Sequence, residues 1–271
     1  MFKFLLFSIN DLKLLYGTNE RIYLNLKNVV KITNGTIALL LSVVNDFTAN
    51  GQRIIGSRPK NKEARKILEL SGFFKFMQGE LEYESEISSN TIIEQGNKSI
   101  EPQVTAKIVR SAMKTVTGVE QRNKKLQGLF IELMANSINH GFPNEERKKW
   151  IVSTSHYQNT NCVSFSFIDN GVGILETLKQ KIGRKIETIF KGKNDLLLSA
   201  YQGDIGSRTG LKFRGKGLPY IQDKINKNYI SNLFILTNNV ILDFKNQKYY
   251  EIKTAYSGTF YYFELNKNND I

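Results

Sequence analysis

Three polar residues in the second half of the chain recur at the spacing of one helical turn. Between residues 126 and 140 the apolar residues follow the helical period, and Glu132, Asn136 and His140 lie together on a different side of that helix. A carboxylate can serve as a general base, and an amide oxygen is a hard ligand of the kind that Mg²⁺ prefers. The spacing fits a catalytic helix face, and it fits an ordinary solvated face equally well.

A second group of polar residues follows a predicted strand. The alternating stretch 164–168 leads into Asp169, and Gly171 and Gly173 follow at once. A carboxylate at a strand end, beside glycines, lies where the backbone can approach a ligand closely. Since the same residues also occur in simple turns, the pattern indicates a binding site only together with the other groups.

Glycines and basic residues open the later helical run 218–225. They are Arg214, Gly215, Lys216, Gly217 and Leu218. The free N–H groups and the positive dipole end of a helix start suit a phosphate. Gly258 and Thr259 then precede the alternating strand 260–265.

The composition is that of a soluble globular protein. The 271 residues are 41% hydrophobic and 23% charged, enough for one large domain or two small ones. The longest apolar stretch, 37–44, is far shorter than the ~20 residues of a membrane span. Residues 1–7 lack the apolar core of a secretory signal, and Cys162 is the only cysteine. We therefore expect a cytoplasmic protein with no membrane partner.

The chain is strongly basic, with 38 lysines and arginines against 25 acidic residues and a net charge of +13. Such an excess suits an anionic partner, such as a nucleotide, an acidic protein or nucleic acid. The lysines accompany many asparagines and isoleucines and few alanines, a composition that coding bias also produces. Charge alone therefore does not predict a nucleic-acid partner.

Composition and periodicity divide the chain into four parts. Residues 1–78 alternate strands and helices, and residues 104–265 contain the polar groups described above. Between them, the segment 79–103 has six glutamates and one lysine and no sustained apolar period, which is typical of a connector or an exposed hairpin. Residues 266–271 form a polar tail.

The N-terminal part resembles a STAS domain, the fold of anti-sigma-factor antagonists. The resemblance rests on predicted strands and helices at 3–7, 21–26, 36–47, 53–56 and 61–71. Members of that family commonly carry a phosphate-accepting serine just before the first of these helices. Here Thr33 is the only hydroxyl in that segment and Asn34 follows it, so the resemblance predicts either a threonine acceptor or a docking surface without an acceptor.

The four ordered motifs of the second part resemble those of the GHKL ATPases, which include DNA gyrase, sensor histidine kinases and anti-sigma-factor serine kinases. They span 132–141, 169–174, 215–218 and 258–259, and the Asn-x-x-x-His-Gly ending of the first is closest to the anti-sigma kinases. The resemblance implies an α/β fold of the α+β sandwich type, with helices packed on a mixed, mainly antiparallel sheet, preceded by the small STAS-like domain.

The resemblance also implies roles for the residues around an ATP molecule. Asp169 accepts a hydrogen bond from the adenine amino group, and Thr259 assists through the same water network. Asn136 binds Mg²⁺, and Glu132 acts as the general base. The resemblance places His140 near the phosphates, and a helix cap is the alternative role for this residue.

The resemblance implies further roles for residues around the triphosphate and for a segment that covers it. Lys216 and Arg214 neutralise phosphate charge, while the glycines of the second and third motifs let the backbone pass close to the nucleotide. The resemblance further implies that the segment 173–215 forms a mobile lid over the nucleotide.

The function predicted from these motifs is Mg²⁺-dependent ATP binding, with hydrolysis or transfer of the γ-phosphate to a protein serine or threonine. One alternative is a non-catalytic module whose affinity for a protein partner changes with nucleotide. A DNA-acting ATPase is less favoured because no transducer segment follows residue 265, and a histidine kinase is disfavoured because 104–117 contains no histidine. The expected partners are ATP and a regulator or STAS-type protein, with a second copy of the chain as a further option.

Overall fold

The computed structural model of the chain describes residues 21–74, 91–97, 99–140, 149–183, 189–210 and 216–271. Its helices and strands, in chain order, are β1 (Ile22–Asn25), α1 (Asn34–Ala49), β2 (Ile54–Ser57), α2 (Lys62–Leu70), β3 (Thr91–Asn97), α3 (Pro102–Thr117), α4 (Lys124–His140), β4 (Lys149–Tyr157), β5 (Cys162–Asp169), α5 (Ile174–Ile182), α6 (Lys193–Gln202), α7 (Ile205–Thr209), α8 (Gly217–Asn226), β6 (Ser231–Asp243) and β7 (Lys248–Asn266). The strand predicted at 3–7 lies outside the described residues, as do Arg214, Gly215 and the side chain of His140.

A five-stranded sheet in the order β3-β4-β5-β7-β6 forms the centre of the fold, and each neighbouring pair is antiparallel. Parallel pairing occurs between β1 and β2, which form a separate two-stranded sheet. The predicted mixed sheet is therefore an antiparallel sheet beside a small parallel pair. Helices and sheets together belong to the α+β class, as expected.

Helices cover one face of the five-stranded sheet. Because side chains alternate along a strand, Phe165 and Phe167 of β5 and Phe263 of β7 all point to this face. The rings of Phe165 and Phe263 stack at 5.1 Å, and Phe130 of α4 meets Phe165 edge to face at 5.4 Å. Packing of α4 on these rings places the opposite, polar side of the helix at the end of β5.

Helix α1 covers the other face. Its N-cap residue Thr33 accepts a hydrogen bond from the backbone N–H of Thr36, and the Asn34 side chain donates to the carbonyl oxygens of Ser153 and Ser164. The sequence predicts one apolar side for this helix. In the structure the helix is buried on nearly all sides, because it lies between the five-stranded sheet and a layer formed by β2, α2 and Phe73.

The segment predicted as an acidic connector supplies a strand. Residues 91–97 form the edge strand β3, which pairs with β4, and Gly96 lies directly against the indole of Trp150. The domain boundaries drawn from composition stay predictions. The structure adds that both the N-terminal helix α1 and the predicted connector pack on the same sheet.

The segment predicted as a lid is mostly helical and packed where the structure describes it. Leu196, Leu197 and Tyr201 of α6 are buried in the main core, as is Ile205 of α7. Their burial anchors the segment to β6, β7 and α8, so the described part is not an open loop. Among the described residues, no helix has both the length and the apolar character needed to cross a membrane.

Candidate functional site

A cavity of about 260 Å³ lies between α4, the end of β5, α5 and the start of α8. Eight of the twelve predicted site residues line it: Glu132, Asn136, Asp169, Gly173, Lys216, Gly217, Leu218 and Thr259. Gly171 lies beside it and donates its backbone N–H to Asp169. His140 ends helix α4, but its side chain, Arg214 and Gly215 are outside the described residues, so their predicted roles stay predictions.

The register of the sheet brings Asp169 and Thr259 together. They are directly opposite each other on β5 and β7, and Thr237 of β6 is opposite Thr259 in turn. Asp169 Oδ1 accepts hydrogen bonds from the backbone N–H of Gly171 at 2.9 Å and of Thr259 at 3.2 Å. Asp169 Oδ2 accepts none from the described part of the chain, so this oxygen is the one available to a ligand.

Burial controls the charge of Asp169. The residue is only 6% exposed, and loss of hydration raises the pKa of its carboxyl group to about 7, although the two backbone N–H donors act in the opposite direction. At neutral pH this group therefore exchanges between a carboxylate that only accepts hydrogen bonds and a neutral acid that can also donate one.

Glu132 and Asn136 lie one turn apart on α4 and face the start of α8. A Cβ atom placed on Gly217 would lie 2.9 Å from Asn136 Oδ1 and would overlap Glu132 Oε1. A side chain at position 217 would therefore displace the ends of the Glu132 and Asn136 side chains from where they lie in the structure. Partial burial raises the pKa of Glu132. Asn136 Nδ2 is buried without a hydrogen-bond partner among the described residues.

Two residues of β6 hold the turn between β5 and α5. Thr237 Oγ1 accepts from the backbone N–H of Ile174 at 2.8 Å, and Asn238 Oδ1 accepts from that of Leu175 at 3.2 Å. Asn238 Nδ2 donates to the carbonyl oxygen of Val172 at 2.8 Å. Neither residue was predicted from the sequence, since neither lies in a recognisable motif and both are 63 or more residues away in the chain from the groups of the turn that they bind.

The back of Asp169 is held from the other face of the sheet. Tyr256 of β7 donates its hydroxyl to the backbone oxygen of Asp169 at 3.1 Å. The side chain of Asn170 donates to the backbone oxygen of Ser42 on α1 at 2.7 Å. Tyr256 and Ser42 were not predicted from the sequence either, because only the packing of α1 and β7 brings them to this strand end.

Cationic and aromatic side chains complete the wall of the cavity. Lys216 lies exposed at the N-cap of α8, and Lys181 of α5 also faces the cavity, where partial burial lowers the pKa of its ammonium group. Tyr261 also lines the cavity, and its hydroxyl is hydrogen-bonded to that of Tyr201 at 3.2 Å.

The described residues contain no group of three or more His, Cys, Asp and Glu side chains able to hold a metal ion by themselves. What they offer instead is one carboxylate oxygen and one amide oxygen, both close to Gly217 at the start of α8. These are hard oxygen donors, and Mg²⁺ is commonly held by one or two protein oxygens together with phosphate oxygens. The arrangement therefore fits a metal–phosphate group better than a bare ion.

Comparison with known protein families finds no family model that matches the chain, and comparison with curated proteins finds no match either.

Proposed function

We propose that the chain is a Mg²⁺-dependent ATP-binding protein of the GHKL type that hydrolyses ATP or transfers its γ-phosphate to a protein serine or threonine. The observation that carries this proposal is the meeting of four separate motifs in one cavity, which is lined by Glu132 and Asn136 of the first, Asp169 of the second, Lys216 and Gly217 of the third and Thr259 of the fourth. Each motif alone is common. Their convergence supports a site for a ligand with both a base and phosphates.

The buried carboxylate supports recognition of adenine. Asp169 Oδ1 is occupied by two backbone N–H groups, which orients the carboxyl group and leaves Oδ2 as an acceptor. The exocyclic amine of adenine donates hydrogen bonds, whereas guanine presents an oxygen at the corresponding edge. Two acceptors facing each other in a buried site repel, and we therefore expect the cavity to prefer ATP to GTP.

The start of α8 supports phosphate binding. Gly217 and Leu218 both line the cavity there, next to the ammonium group of Lys216. Unpaired N–H groups at the start of a helix and a nearby cation stabilise phosphate charge. The close approach of α8 to α4 brings this helix start next to Glu132 and Asn136.

The residues present fit a magnesium ion bound together with the triphosphate. Asn136 would hold it through its amide oxygen, and the amide has a buried Nδ2 that no described residue binds. When bound, the ion neutralises charge that builds up on the phosphate oxygens. Glu132 is placed to take a proton from a water molecule or an acceptor hydroxyl, and its raised pKa strengthens it as a base.

The decisive experiment measures γ-phosphate release and transfer by the purified chain with ATP and Mg²⁺. Glu132→Gln keeps the shape and removes the base, so we expect turnover to fall by roughly 10²-fold or more while ATP affinity changes little. Glu176→Gln is the matched control, since Glu176 is an exposed carboxylate on α5 paired with Lys179. Absence of ATP binding by the unmodified chain contradicts the proposal.

One observation favours the non-catalytic alternative, in which nucleotide controls binding of a protein partner. The strand end that carries Asp169 is hydrogen-bonded through Asn170 to helix α1 of the STAS-like region, so a wall of the cavity is in direct contact with that region. Thr33 lies exposed at the start of the same helix. ATP binding without phosphate release or transfer, in both the unmodified chain and Glu132→Gln, identifies this alternative.

A further inference from the structure

A chain of hydrogen bonds links helix α1, on one face of the sheet, to the end of the central strand β5. Ser42 of α1 uses both of its polar groups on Asn170: its backbone oxygen accepts from Nδ2 at 2.7 Å, and its hydroxyl donates to Oδ1. Tyr256 adds a second link, because its hydroxyl donates to the backbone oxygen of Asp169 at 3.1 Å and lies 3.1 Å from Ser42 Oγ. Ser42 is 2% exposed and Tyr256 is 5% exposed.

These links hold the backbone on which the adenine-binding carboxylate is built. The carbonyl oxygen of Asp169 and the whole side chain of Asn170 are tied to groups that move with α1 and β7. Ser42, Tyr256 and Asp169 are buried and Asn170 is half-buried, so water replaces a lost bond poorly, and a displacement of α1 leaves polar groups of the turn with fewer partners. The position of α1 and the geometry of residues 169–171 therefore change together.

The surface beneath α1 is unusually polar for a helix packed on a sheet. Ser153 Oγ and Ser166 Oγ are buried without hydrogen-bond partners among the described residues, and the Cβ position of Gly35 lies only 3.3 Å from Ser166 Oγ. Unpartnered buried hydroxyls gain hydration when a surface opens. The contact between α1 and the sheet is thus less stable than an apolar contact of the same area.

We propose that Ser42 and Tyr256 are positioning residues. Through them, the packing of helix α1 on the sheet controls the affinity of the cavity for ATP. This inference rests on the proposed function. When α1 is packed on the sheet, it keeps Asp169 in place and favours ATP binding. By reciprocity, bound ATP stabilises the packed position of the helix. A protein that draws α1 away from the sheet would lower ATP affinity.

The first test compares ATP·Mg²⁺ affinity by calorimetry in Ser42→Ala and Tyr256→Phe with two matched controls. Ser166→Ala removes a buried hydroxyl that faces the same helix but binds no described residue, and Tyr262→Phe removes a tyrosine hydroxyl of the same strand that binds Glu264. We expect the dissociation constant to rise roughly three- to tenfold in the first pair only, as for the loss of one or two buried hydrogen bonds.

The second test separates positioning from a merely structural role. Hydrogen exchange of the α1 amides is measured with and without saturating ATP·Mg²⁺. We expect ATP to slow exchange in the unmodified chain and in Tyr262→Phe, and to slow it less in Tyr256→Phe, because the link through the Tyr256 hydroxyl is lost there while the bonds between Ser42 and Asn170 remain.

The outcomes distinguish this inference from the proposed function. If the unmodified chain binds ATP and all four variants bind it equally, the inference is overturned and the proposed function stands. If ATP does not slow exchange in α1 of the unmodified chain, the coupling is overturned even where the affinities differ. If the unmodified chain binds no ATP, both fail together.

Discussion

Asp169 and Thr259 face each other directly across strands β5 and β7, and the backbone N–H of Thr259 donates to Asp169 Oδ1 at 3.2 Å. The preceding residue, Gly258, has a φ angle of +116°, and a Cβ atom there would overlap the backbone oxygen of Asp169. Only glycine adopts this backbone without strain and leaves the required space. The glycine of the last motif is thus explained by its contact with the backbone of the second, and the backbone N–H of the next residue binds the carboxylate of the second motif.

The stability of the protein should depend on pH through Asp169. The pKa of its carboxyl group is about 7 in the folded chain against an ordinary value of 3.8, because burial disfavours the charged form. Between about pH 4 and about pH 7 the unfolded chain has released this proton and the folded chain retains it, so the free energy of unfolding falls as pH rises across that window and levels off above it. Urea denaturation at several pH values measures the slope.

Asp169→Asn isolates this contribution, because asparagine stays neutral and can still accept the two backbone N–H bonds. We expect the variant to gain stability relative to the unmodified chain as pH rises from about 5 to about 8. A difference that does not change with pH would show that the carboxyl group is not the source. The variant should also bind ATP more weakly at pH 8, where the unmodified chain presents a full carboxylate.

Removal of the Asn136 amide should separate metal binding from folding. Its buried Nδ2 binds no described residue and alanine is the better helix former, so Asn136→Ala should unfold at an equal or higher urea concentration. With Mg²⁺ present we expect ATP affinity to fall by roughly tenfold, the loss of one charge-assisted contact. Calorimetric titrations in Mg²⁺ and in EDTA provide the comparison, and an equal loss in both would contradict the metal assignment.

Gly217→Ala should reduce turnover without reducing stability. The new Cβ would displace the Glu132 carboxylate and press on the Asn136 amide, while alanine itself favours the helix. A misplaced catalytic group costs far more in rate than in folding energy, so we expect ATP turnover to drop at least tenfold with a nearly unchanged melting temperature. Gly192→Ala is the control, since its Cβ would meet nothing within 4 Å. Equal turnover in the two variants would show that the approach of α8 to α4 is not needed.

Thr237→Val should loosen the turn that leads into α5. Valine has nearly the same shape but cannot accept the hydrogen bond from the backbone N–H of Ile174, which is 2.8 Å long in the structure. The orphaned group should lower the free energy of unfolding by about 1–3 kcal/mol. Thr254→Val, a half-buried position on β7, is the matched substitution, and a similar loss in both would point to a general effect of valine.

Local patterns predicted the elements that carry the site. The period of residues 126–140 corresponds to α4, the alternation of 164–168 lies within β5, and the run 218–225 lies within α8. These predictions succeed because a helical or strand period depends on neighbours in sequence alone. The lid prediction took no account of the apolar residues of α6, which pack in the main core.

Other features depend on contacts that no local pattern contains. Asn170 and Ser42 are 128 residues apart in the chain, and Tyr256 is 87 residues from Asp169. The near-complete burial of α1 likewise follows from a layer on each side of it, whereas its sequence indicates only one apolar face.

The amino-acid sequence by itself determined which residues could do chemistry and the local element on which each of them lies, because side-chain type and short-range periodicity are properties of the chain alone. The tertiary structure decided that Asp169, Glu132 and Gly217 share one cavity and that α1 supports the cavity from behind. The reason is that strand register and helix-on-sheet packing are set by distant contacts, and a slip of one residue in the β5–β7 register would turn Asp169 and Thr259 to opposite faces.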